Sequence, residues 1–408
     1  MKKPLLAVLI LVLLVVAAAM YLRATTPAST VGVRFPLTDS QRRLLESVPA
    51  SAEAFALVPT AAAVHGKLVA NPITRDSVEQ WTEERHLPKP WMIGGADLVI
   101  WRSREQTSYA IHLDPIRALV IRAYLLFAPG GNAEVRAGTL LINGQDGQPL
   151  GQAALAPFLD LAAALPAGDA FAVQLLGGRG AFPPIGRPAV SSIKVDAGEL
   201  SIVSRAASSE APSRPGEAPA PRKLPQKALL SAWFAEPPRV LGDLDRLSLS
   251  RLSSLAGQGG RIILYDVNTG TLLPRPRGLI VVPSTPETKE AAERMKTLAE
   301  AVGEIREEDG NILFAFDRSS MVAYASETFA DTPGAATEWA IRIDSQRMLP
   351  ILRKLGDSTG LRLAASRVHR AARDLRRWID VLEPAQTIDA ALSRAGGFEE
   401  LRVRITSK

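Results

Sequence analysis

The chain contains no cysteine. Disulfides, thiolate metal sites, thiol nucleophiles and a lipid anchor on cysteine are all excluded by that one absence. Histidine is scarce: there are four, no two have metal-ligand spacing, and no His-Glu-x-x-His occurs. The sequence therefore predicts neither a metal nor a cofactor.

A charge excess of one sign is missing as well. The formal charge of +6 is dispersed, with Lys and Arg against Asp and Glu at 19 to 16 over 1–206, 4 to 2 over 207–228 and 25 to 24 over 229–408. Neither half has the basic surplus of a nucleic-acid binder, so no nucleic-acid partner is expected.

Catalytic signatures are thin. No Gly-x-Ser-x-Gly elbow occurs, and the glycine clusters at 177–180 and 257–260 lead into proline or strand instead of opening a phosphate-binding helix. Ser191-Ser192-Ile193-Lys194 has serine–lysine spacing. It falls on an expected strand, where residues three apart face opposite ways. His112 beside Asp114 is a conceivable base–orienter pair, although isolated histidines usually serve local hydrogen bonds.

Long apolar runs are also absent, with one exception. Leu5 to Leu22 is eighteen residues without a charge, preceded by Lys2-Lys3 and followed by Arg23. As a helix it rises about 27 Å, near the 30 Å of a hydrocarbon core. The positive-inside bias would keep the two lysines cytoplasmic and place the bulk of the chain beyond the plasma (inner) membrane, in the periplasm of a bacterial envelope. The rival reading is a cleaved signal peptide ending at Ala17-Ala18-Ala19. Either way the body is exported, and in the first the bilayer is a partner through residues 5–22.

The organisation expected beyond this anchor (1–23) is a spacer with a short helix (24–51), a first α+β half (52–206), a Pro/Ala/Ser-rich linker (207–227) and a second α+β half (228–408). The linker has five prolines and cannot bury enough surface to order itself. The two halves repeat an order of elements. Gly94-Gly95 matches Gly259-Gly260, and Pro115 matches Pro286, each opening a helix after a strand pair. The expected fold class is α+β: two tandem halves, each a mainly antiparallel sheet with helices packed on one face. Val322–Ala325 reads as a strand, and Ile388–Ser393 as a helix.

Two patterns mark candidate binding residues. Leu361 to Glu383 reads as an amphipathic helix, and Arg370, Arg373 and Arg377 share its polar face by three- and four-residue spacing, suited to an anionic group. Loop 177–188 sets Phe182 and Ile185 among glycines and prolines, as an apolar lip over a cavity would be. The function expected is non-enzymatic: an amphiphilic or anionic envelope ligand, such as a lipid, or a partner protein bound near the membrane. The alternatives are an envelope hydrolase with a site assembled from distant residues, and a structural assembly module.

Overall fold

The computed structural model describes residues 32–84, 93–103, 106–127, 133–136, 138–143, 148–176, 188–208, 223–234, 260–268, 275–331, 337–357, 379, 382–395 and 397–407. The apolar run 5–22 lies outside them; among the described residues no helix is long and apolar enough to cross a membrane. The fold is mixed α+β, dominated by antiparallel sheet. It divides into two compact units, 1–207 and 208–408.

In the first unit the strands are β1 (Ala54–Val58), β2 (Leu98–Ser103), β3 (Gln106–His112), β4 (Ala133–Arg136), β5 (Thr139–Ile142), β6 (Ala170–Gln174), β7 (Ala189–Asp196) and β8 (Glu199–Ala207). They lie side by side in the order β4-β5-β3-β2-β1-β6-β7-β8. Among the described residues the helices that accompany them are α1 (Asp39–Leu45), α2 (Ala61–Ala70), α3 (Arg75–Glu84), α4 (Pro115–Phe127) and α5 (Gln152–Ala163).

Helices cover both faces of this sheet, not one. Residues 98–101 of the central strand β2 read LVIW, apolar at every position, so both sides need covering there. Val99 and Trp101 join Phe55, Leu57, Phe171 and Val173 under α1 and α5. Leu98 and Ile100 face the other way, beside Tyr109, Ile111 and Leu140, where Ala61 and Ala62 of α2 and Ala118 and Ile121 of α4 close the layer.

The second unit has β9 (Lys223–Pro225), β10 (Leu230–Phe234), β11 (Gly260–Asn268), β12 (Arg275–Pro283), β13 (Glu304–Glu308), β14 (Asn311–Ala315), β15 (Phe329–Asp331), β16 (Thr337–Asp344), β17 (Ala385–Ala395) and β18 (Phe398–Ser407). Its helices are α6 (Pro286–Val302), α7 (Arg318–Ala325) and α8 (Ser345–Asp357). The strand order is β13-β14-β12-β11-β10-β16-β17-β18, with β9 and β15 paired apart from it. Again both faces are covered. Ala292 of α6 packs with Ile280, Val282 and Phe314, and Met321 of α7 packs with Ile263, Leu279 and Val281.

Three stretches differ from what the sequence predicts. Lys223–Pro225, expected within the linker, pairs with Phe329–Asp331. Val322–Ala325 is the end of helix α7, because Asp317 caps it by accepting from the Ser320 amide. Ile388–Ser393 belongs to strand β17, hydrogen-bonded to β16 on one side and β18 on the other. Its buried residues Ala385, Ile388 and Ala391 are three apart, which imitates a helix. In the strand Ile388 and Ala391 point to opposite faces and enter different clusters, and a register shift separates Ala385 from Thr387.

Candidate binding cleft between helices α1 and α5

Thr38 starts α1 with a reciprocal cap. Its hydroxyl accepts from the Gln41 amide at 3.2 Å, and the Gln41 side-chain oxygen accepts from the Thr38 amide at 3.2 Å. Leu44 and Leu45 then sink into the core, both 2% exposed. The segment before this helix is tied down as well, since the Val33 amide donates to Gly168 at 2.9 Å. Phe35 meets Phe171 edge-on with ring centroids 5.3 Å apart.

Across from α1 runs α5. It has an uncapped N-terminus at Gly151 and carries Pro157 inside. Pro157 offers no N–H to the carbonyl of Ala153, one turn back. Between the two helices lies a cleft of about 680 Å³. Its walls are Phe35, Leu37, Leu45, Leu150, Leu155 and Leu159, and its rim carries Arg42, Glu46, Gln152 and Asp160. A smaller hollow of about 290 Å³ shares Phe35 and Ala163 with it and has Arg34 and Ser192 at its margin. Apolar walls with a few polar groups at the mouth, at this size, are the ordinary form of a small-molecule site.

A second cleft, about 830 Å³, lies in the other unit between α6 and the edge strand β13. It is lined by charge: Lys289, Lys296, Glu293, Glu304, Glu307 and Arg318. Four of these charges answer one another. Lys289 meets Glu307 at 2.9 Å and Lys296 meets Glu293 at 3.6 Å. The Ser284 hydroxyl and then Lys289 hold the Glu307 carboxyl below its ordinary value. Size alone would favour this cleft; its paired side chains leave less for a ligand than the apolar one does.

The residues predicted to bind, Arg370, Arg373, Arg377, Phe182 and Ile185, lie outside the described residues. The weighed catalytic pairs can be placed. Ser191 is buried on β7 and shares a 2.8 Å hydrogen bond with Ser204, while Lys194 reaches solvent and pairs with Asp196 at 3.1 Å. The strand separates them. Asp114 does not orient His112: it caps α4, accepting from the amides of Ile116 and Arg117 at 3.0 Å and from the Arg117 guanidinium at 2.7 Å.

His112 instead lies near Asp97. Burial pushes the Asp97 carboxyl up, against the Thr60 amide, the Gln41 side chain and the positive field of His112. Among the described residues no group of three His, Asp or Glu side chains is placed to hold a metal.

Reading 24–51 as a spacer concealed the cleft. Val33, Leu37, Leu44, Leu45 and Val48 are all buried, and one wall is made from this stretch. Leu44, Leu45 and Val48 fall seven, eight and eleven residues after Leu37, on one helical face, and that spacing is the signal that this stretch belongs to the core. No protein-family model, no curated protein and no solved structure matches this chain.

Proposed function

We propose that the chain is a non-enzymatic envelope protein, held at the inner membrane by residues 5–22, whose first unit binds the apolar chain of an amphiphile between α1 and α5. The observation that carries this reading is the cleft of about 680 Å³, walled by leucines and Phe35 and bordered by Arg42 and Asp160. A leucine-lined groove attracts hydrocarbon because apolar surface leaves water on binding. Arg42, with Arg34 at the adjoining hollow, gives an anionic headgroup somewhere to rest.

Two copies of one fold supply the scaffold in this reading. Counted from its own first sheet strand, the strands of each unit run 4-5-3-2-1-6-7-8. Pro115 and Pro286 open the helix that follows the third sheet strand in each. The segment ahead of the first sheet strand is also laid down alike, Val33 against Gly168 and Leu224 against Ala330. The first copy adds α1, and with it the cleft.

The test is native mass spectrometry of the full chain released from membranes, with enough activation to strip loosely held lipid. An amphiphile should remain on the wild type and be lost from Leu159→Arg, whose side chain would fill the groove with charge. Identical spectra for both proteins would discard the proposal.

A further inference from the structure

Helix α4 is apolar on two sides. Inward, Ala118 and Ile121 enter the core. Outward, Ile116 is 42% exposed, Leu119 is 69% exposed, and Ala123 is exposed one turn on. The spacing of three and four makes these a single stripe. Helix α6 holds the same place in its own unit, after the third sheet strand. Counted from the prolines that open the two helices, Ile116 and Leu119 correspond to Glu287 and Glu290. One outer face is suited to water; the other is not. Helix α4 contains no acid; of its two arginines, Arg117 is buried against Asp114 and Arg122 is exposed.

A second copy of the chain is a poor occupant for this stripe. It exposes on the order of 200 Å² of apolar surface, against roughly 800 Å² that each partner gives to a standard interface. A bilayer surface requires neither that area nor a matching shape. There, shallow insertion of apolar side chains adds to the attraction between basic side chains and anionic headgroups. The bases are in place. Arg122 is exposed on α4, and Arg136 is largely exposed on β4, the strand α4 packs against, where Glu134 holds it at 2.9 Å.

We propose that the outer face of α4 lies on an anionic phospholipid bilayer, with Leu119 at the acyl boundary and Arg122 at the phosphates. The inference rests on the tether reading, in which residues 5–22 keep the body close to that surface.

The absence of cysteine makes the experiment clean, since each variant carries one thiol. The full chain is reconstituted into phosphatidylglycerol–phosphatidylethanolamine vesicles containing spin-labelled lipid. An environment-sensitive fluorophore is placed at Leu119→Cys, at Glu290→Cys as the matched position on α6, and at Ala24→Cys beside the apolar run. The label at 119 should be quenched at least about twofold more than the label at 290, and high salt should weaken the difference. Equal quenching at 119 and 290 would overturn the inference. If the label at 24 is quenched in that case, the tether reading survives alone; if it is not, both fall. Spontaneous disulfide formation between unlabelled Leu119→Cys chains would point to a second copy and overturn it too.

Discussion

The amide of Val33 donates to the carbonyl of Gly168 at 2.9 Å. A Cβ on Gly32 would stand 2.9 Å from that carbonyl oxygen, and a Cβ on Gly168 would stand 2.3 Å from the Ser192 hydroxyl and 2.7 Å from the Ile193 carbonyl. The two glycines thus let the segment that walls the cleft lie down on the sheet. Gly168→Ala should cost about 1–3 kcal/mol, since backbone must move to make room. Gly66→Ala is the contrast: nothing lies within 4 Å of its added carbon in mid-α2, and it should stabilise by up to about 1 kcal/mol. Urea denaturation of both variants checks the pair.

A polar pin fastens α2 and the turn after it to the β7–β8 hairpin. Asn71, fully buried, donates to the carbonyls of Asp196 at 2.6 Å and Glu199 at 3.1 Å and accepts from the Ile73 amide at 2.8 Å. Asp169 takes Lys67 on one oxygen and the Val195 amide on the other, each at 2.8 Å. Asn71→Ala strands buried carbonyls and should cost about 1–3 kcal/mol. Asp169→Ala removes the partner of a partly exposed lysine and strands a buried amide, and should also cost about 1–3 kcal/mol, chiefly from the amide. Hydrogen exchange in β7 and β8 should speed up in both. Unchanged exchange there would show that the hairpin does not depend on the pin.

Asp97 works against the fold at neutral pH. Its carboxyl is raised above 3.8, first by burial, despite the Thr60 amide that donates to it at 3.2 Å. The folded state therefore holds the proton more tightly than the unfolded state. Whatever stability protonation lends is present below 3.8 and is lost as pH rises through the folded value. Asp97→Asn keeps an acceptor for Thr60 and removes the charge. It should be more stable than wild type at pH 7, with the advantage shrinking to nothing near pH 3. Thermal melts of both proteins across that range decide the sign.

Much of the fold could be read in advance because strands such as Ala54–Val58 and helices such as Pro115–Phe127 carry their punctuation locally: a cap, a proline or a turn at each end. Failures came where period and environment disagreed. Strand β17 buries residues on both faces, and the count of three between Ile388 and Ala391 passes for a helical repeat. Helix α7 has only eight residues, and its β-branched Val322 is exposed, so the cap at Asp317 outweighs propensity. The cleft was hidden for another reason. Its walls come from two segments more than a hundred positions apart, Phe35–Glu46 and Leu150–Ala163, and no local pattern shows that they meet.

The cap of α7 gives the sharpest pH test. Asp317 accepts from the Ser320 amide at 3.1 Å, from the Ser320 hydroxyl at 2.6 Å and from the Ser319 hydroxyl, with Arg277 nearby. Burial by itself would raise its carboxyl; the two hydroxyls, the amide and the arginine together outweigh burial and hold it below 3.8. The sign is opposite to that of Asp97. The stability Asp317 lends is complete above 3.8 and drains away as pH falls through its lower folded value. Asp317→Ala should cost about 1 kcal/mol at pH 7, the usual worth of such a cap. Below the folded value the deficit should narrow, because the wild-type carboxyl is then protonated and has lost its charge-assisted bonds. A deficit that stays constant from pH 7 to pH 2 would mean that Asp317 acts through packing and not through its charge.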